Sequence, residues 1–244
     1  MVVLFSLILI INQSKEDSFF IKVRSAGWKM QIKDLTNYYW GSFDTYKRTN
    51  FLEDAYKVLV SSYYVIGYYF WKFNKDSLKV YIDSTLKVLE DAANFHNDAG
   101  LWAYCGYIYG SKIPVSSFFK VMGLSGRANR CFERAFEIDS LNALVLFFKG
   151  LNVYRTPKGF GGGCKNALSY FDKSLRAYSQ NKLHNFLNKW GEEEAMFYYS
   201  LCVLEIKKDL KKVKEIYNEM KKKYPNFWGC IKLKYIIESK KEDK

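Results

Sequence analysis

The sequence predicts an all-α fold, a solenoid of helical hairpins with inserted loops, and three observations predict it. Only 3 prolines occur in 244 residues, whereas β-rich folds need frequent Gly and Pro punctuation. Apolar residues recur at helical spacing in blocks separated by short breaks. With 49% of residues hydrophobic, the chain can cover the inner faces of many helices and is too apolar for a disordered polymer.

The periodicity is clearest from Gly100 onward, where helices fall into pairs. In three second helices a small residue, an aromatic and another core residue recur at i, i+4, i+7: Ala128, Phe132 and Ala135, then Ala167, Phe171 and Ser174, then Val213, Tyr217 and Met220. Each set occupies one helix face. Gly106 and Gly150 lie inside two of the first helices. Upstream, 51–73 and 76–94 read as two further long helices rich in Tyr, Val and Leu, serving as an N-terminal cap or degenerate repeat. The stretch 15–46 adds a helix around Trp28 and Trp40.

Phe132-Glu-Arg-Ala-Phe-Glu-Ile-Asp-Ser-Leu-Asn-Ala143 resembles the close of one tetratricopeptide (TPR) unit and the opening of the next. Pro225 holds the unit-closing place that Ser140 holds earlier. The resemblance puts Gly150, and likewise Gly106, at the small position where paired helices approach closely, so both are expected to be buried. The steps from Gly106 to Ala128 and from Gly150 to Ala167 are longer than the about 12 residues expected within a TPR period of about 34, so the hairpins carry insertions. Thr156-Pro-Lys-Gly-Phe-Gly-Gly-Gly163, followed by Trp190-Gly191, is similar to an uncharacterised group of bacterial TPR proteins. More loosely, the chain resembles TPR subunits associated with tripartite periplasmic (TRAP) transporters. The resemblance implies a fold and an exported location, and brings no activity with it.

A net charge of +13 points to acidic partners. The charge is concentrated: 207–244 holds thirteen Lys against six acids, about +7. Arg, the usual bidentate reader of phosphate and guanine, occurs only seven times, which argues against nucleic acid. The run Val2–Ile11 is apolar, too short to span a bilayer, and ends at a polar boundary. It is read as a signal peptide over 1–14, truncated or not, with a single TPR-like domain over 15–244; a buried first helix is the competing reading. No other stretch is long and apolar enough to cross a membrane. An exported protein of the periplasm or cell envelope follows from the first reading, a cytoplasmic one from the second.

No cofactor is expected. The five cysteines are widely spaced with no CxxC pair, and no metal site or disulfide framework is visible. Cys131 and Cys202 fall in helical apolar patterns, as small hydrophobes do. Gly159-Phe-Gly-Gly-Gly-Cys-Lys165 approaches a phosphate-binding loop, but Cys164 and Asn166 replace the required Gly and Ser/Thr, and a helix precedes it where a strand is needed. Pro157, Phe160, Gly161, Gly162 and Gly163 are therefore read as a structural loop. Glu192, Glu193 and Glu194 follow Trp190-Gly191 at a helix start, where the helix dipole favours carboxylates. His96 and His184 stand far apart, with no nucleophile motif near either. The aromatic run 62–71 suits either a ligand pocket or a buried helix pair.

A non-enzymatic interaction module is the expected function. The TPR resemblance implies that its first helices line a concave groove for a protein or peptide segment, with Tyr107, Leu144, Phe147, Leu151, Tyr154, Arg155, Ala195, Tyr198, Cys202 and Glu205 on that face. Arg155 is placed to hold a carboxylate. The alternative is a ligand-binding or transport-accessory subunit enclosing a small apolar molecule. Whether the C-terminal helix over 226–238 fills the groove stays open.

Overall fold

The computed structural model describes residues 19–242 with the exception of Asn188. The expected signal peptide lies outside the described residues. These residues form eleven α-helices and no strand, as the all-α reading requires. The chain falls into two compact units, the first holding 19–97 with 184–190 and the second 98–183 with 191–242.

In the first unit α1 (19–28), α2 (Ile32–Thr49), α3 (Leu52–Trp71) and α4 (Lys75–His96) follow one another, with α3 packed against both α2 and α4. Asn74 caps α4 by accepting from the Ser77 amide. Asn50 and Asn97 end α2 and α4 in the left-handed conformation that asparagine tolerates. Leu35, Tyr39, Ala55, Leu59, Val65, Ile82 and Leu89 form the core. The Tyr39 hydroxyl is 3.1 Å from Thr85 Oγ1, so a buried phenol stays satisfied. Trp190, from the 184–190 segment, is fully buried beside Tyr63 and donates from Nε1 to Tyr64 Oη at 3.2 Å.

The second unit holds the hairpins. α5 (Ala99–Lys112) pairs with α6 (Phe118–Asp139), α7 (Ala143–Arg155) with α8 (Cys164–Ser179), and α9 (Glu192–Lys207) with α10 (Leu210–Lys223). α7 lies beside α5, α9 against α8, and α11 (Trp228–Glu242) packs on α9 and α10. Asp98, Asn142 and Asp209 cap the starts of α5, α7 and α10 through their side-chain oxygens. The close approaches fall at the two predicted glycines. A Cβ on Gly106 would lie 3.0 Å from the Phe132 ring, and one on Gly150 only 2.8 Å from Phe171.

Gly106, Ala128, Phe132, Ala135, Gly150, Ala167, Phe171 and Val213 are buried as predicted. Tyr217 is only half-buried, and Ile216, one residue earlier, takes the core position instead. Glu192, Glu193 and Glu194 do open α9, but all three are buried. Tyr224 Oη donates to Glu192 at 2.5 Å and Lys223 Nζ at 3.3 Å, a charge-assisted pairing that compensates one of these carboxylates for lost hydration.

Candidate ligand-binding site

The residues expected to line a groove divide into two groups. Leu144, Phe147 and Leu151 are fully buried; α7 is shut in by α5 and α8 and by the Gly191 turn, whose added Cβ would lie 3.6 Å from Leu144 and 3.7 Å from Phe147. Ala195 and Cys202 are buried as well. These side chains are core and present no surface to a partner. Tyr154 and Tyr198 are half-buried, while Arg155 and Glu205 are exposed.

That outer group is ordered by polar and ring contacts. Arg155 Nη1 donates to Tyr107 Oη at 2.6 Å, and its guanidinium lies 5.1 Å from the centroid of the same ring. Tyr154 meets Tyr198 edge-on at 5.2 Å, and Tyr198 stacks on Phe171 at 5.8 Å. Glu205 pairs with Lys158 at 3.1 Å, where both side chains are well exposed, so the pair is worth little. Lys158, and after it the Cys164 thiol, holds the Glu205 carboxyl below its ordinary pKa.

The glycine loop is structural in its geometry. Gly161 and Gly163 have φ of +80° and +87°, and a Cβ on Gly162 would run into the backbone carbonyl of Thr156. The Gly163 amide donates to Val153 O at 2.9 Å, and Asn166 Nδ2 to Gly161 O at 2.9 Å. Asn166, which replaces the magnesium-ligating residue of a phosphate loop, thus closes the turn. Phe160 is the exception, since its side chain points to solvent.

A cleft of about 690 Å³ lies between α2 and α4 in the first unit. Phe43, Tyr46 and Val88 form its buried floor, Trp40 and Phe95 stand 39% and 70% exposed at its edge, and Lys47, Lys87 and Asp91 supply its charge. Trp40 packs edge-on against Phe43 at 5.5 Å, and Lys47 Nζ sits 4.5 Å from the Phe43 ring centroid. Such a volume, with apolar walls and a few polar groups, is typical of small-molecule sites. None of these residues stood out as a candidate in the sequence. The signal was the Trp40, Phe43, Tyr46 stripe at i, i+3, i+6, which reads equally well as core. The conspicuous run 62–71 is divided, with Tyr64, Val65 and Ile66 buried in the core and Phe70 and Trp71 exposed.

Burial pushes Tyr39 and Tyr154 up from 10.0 to about 12 and raises Tyr178 well above its ordinary value, with Glu193 and Glu194 adding to the effect. A folded-state pKa above the unfolded value contributes stability that is complete below the unfolded pKa and is lost as pH rises through the folded one. The melting temperature should therefore fall steeply between about pH 10 and 12. Phenolate absorbance near 295 nm should lag behind that of the unfolded chain. Coincident ionisation of all tyrosines at the free value would contradict this.

Fold and cleft together define an all-α helical-hairpin protein with an aromatic cleft of small-molecule size. No protein-family model matches the chain, and no curated protein does. Among solved structures it is similar to the HusA haemophore from Porphyromonas gingivalis, at a TM-score of 0.56 and 16% identity over 81% of this chain and 94% of that one. Among the described residues no helix is long and apolar enough to cross a membrane.

Proposed function

We propose that this chain is an exported, non-enzymatic binding protein that holds a small, flat, largely apolar molecule bearing carboxylates. The observation that carries the reading is the α2–α4 cleft, with Trp40 and Phe95 placed to stack on a planar ligand and Lys47 and Lys87 placed to meet its acidic groups. The fold likeness to a haemophore makes haem the natural first probe. On titration with haem, absorbance in the porphyrin band should shift and saturate. The Trp40→Ala, Phe95→Ala double variant should bind at least about tenfold more weakly, since two stacking faces are lost. Both side chains are partly exposed, so the variant should stay folded. An unchanged affinity in that variant, or no spectral change with the native chain, overturns the reading.

A second reading keeps the TPR resemblance: stacked hairpins that hold a protein segment on the face of α5, α7 and α9. The exposed Arg155, oriented by Tyr107 and flanked by Tyr154 and Tyr198, favours it. Arg155→Ala separates the two, because it should abolish capture of a carboxylate-bearing segment and leave haem titration unaltered.

A further inference from the structure

The α5–α6 hairpin carries a feature that neither reading uses. Gly106 faces Phe132 and Ala128, and Tyr109 accepts from Arg127 Nη1 at 3.4 Å. In an antiparallel pair this register sets the end of α5 level with the second turn of α6, beside the short turn 113–115, so the first turn of α6 runs past α5. There Phe118, Phe119 and Met122 are 85%, 95% and 86% exposed, within an arc of about 100°. The two phenyl rings pack edge-on at 6.1 Å. An apolar cluster so fully in water is costly unless something covers it.

Charge identifies what covers it. From Ala99 to Phe132 the chain holds Lys112, Lys120, Arg127 and Arg130 and no acid. α7 runs parallel to α5, Tyr104 and Tyr107 both meeting Phe148 while Gly110 meets Asn152. The α7–α8 connection therefore emerges at the same end, bringing the 85% exposed Phe160 and the Lys158–Glu205 pair, which adds no net charge. Within 99–132, aromatic side chains leading, cations flanking and acids lacking make the pattern by which a helix enters the interface of an anionic bilayer. A protein partner would need about 800 Å² per side with side chains seated in pockets, and a projecting tip of three side chains provides neither.

We propose that this hairpin end, led by Phe118, Phe119 and Met122, docks the protein onto a lipid surface carrying anionic headgroups. The rings enter the acyl boundary, and Lys120 meets the headgroups, with Lys112 at the end of α5 behind it. The test is co-sedimentation of the full chain with vesicles of phosphatidylglycerol mixed into phosphatidylcholine, against vesicles of phosphatidylcholine alone. Binding should be confined to the anionic vesicles and weaken as salt is raised. The triple variant F118A/F119A/M122A keeps every charge, including those of the basic C-terminal segment, and should bind at least about tenfold more weakly with unchanged circular dichroism. The K120E variant should bind the anionic vesicles more weakly as well. Failure of the native chain to bind anionic vesicles, as a protein-docking tip would behave, overturns the proposal. So does a triple variant that binds like the native chain, since adsorption would then rest on the C-terminal lysines. Haem titration of the same variants should be unaffected, which keeps this result separate from the cleft reading.

Discussion

Trp190→Ala should be the most damaging single substitution in the first unit, lowering stability by about 3–5 kcal/mol. The indole is fully buried, and Tyr63 and Tyr64 both pack edge-on against it, at 5.2 and 6.4 Å. Truncation leaves a cavity that rings cannot collapse to fill, and it strips the Tyr64 hydroxyl of its donor at 3.2 Å. For a chain of this size the melting temperature should drop by roughly 10 °C. Trp71→Ala provides the contrast: Trp71 is well exposed, and its loss should change stability by no more than about 0.5 kcal/mol. Equal effects at the two tryptophans would mean that the 184–190 segment is not packed as described.

The same chemical change should have opposite signs at two helical glycines. Gly67 lies inside α3 with open space where a Cβ would go, so Gly67→Ala should stabilise by about 0.5–1 kcal/mol through the backbone entropy of the unfolded chain. Gly150 lies inside α7, and an added Cβ meets the Phe171 ring at 2.8 Å and Tyr170 Cβ at 3.2 Å. The helix-propensity gain is the same there, but two helices must separate or Phe171 must leave its place, at a cost of about 1–3 kcal/mol. Gly150→Ala should be net destabilising, and Gly150→Leu more so. Chemical denaturation of the two alanine variants decides the point; a stabilising Gly150→Ala would show that α7 and α8 are not in close contact.

Much of the hairpin architecture was legible because amphipathic spacing is a local property. Phe132 and Phe171 had to face a neighbour whatever that neighbour was, and the paired glycines marked where it came nearest. Tyr217 shows the limit of that reasoning. Moving from i+4 to i+3 rotates a side chain about 100°, and an aliphatic residue at 216 competes with an aromatic at 217 for the same contact. The partly exposed members of the expected face, Tyr154, Arg155 and Tyr198, were legible for the same reason. Leu144, Phe147 and Leu151 were not separable from them, because periodicity identifies a face without saying whether another helix covers it. Glu192 was legible in part: three consecutive carboxylates read as a helix start, which they are, but nothing local shows that they are buried. Its compensating partners, Lys223 and Tyr224, come from the far end of α10 and carry no local signature. The cleft was hidden because it exists only when Trp40 and Phe95, on helices distant in sequence, are brought together.

Two insertions of the repeat pattern fall inside hairpins, between Gly106 and Ala128 and between Gly150 and Ala167, while α6 passes to α7 through a tight turn closed by the Asn142 cap; a third, 180–191, joins α8 to α9. Between the first two hairpins, spacing is thereby uncoupled from loop length. Lineages of this fold can lengthen, shorten or rewrite one rim of the second unit without disturbing the pitch at which its helices stack, so new specificity can arise there by insertion while the packed interior evolves under separate constraint.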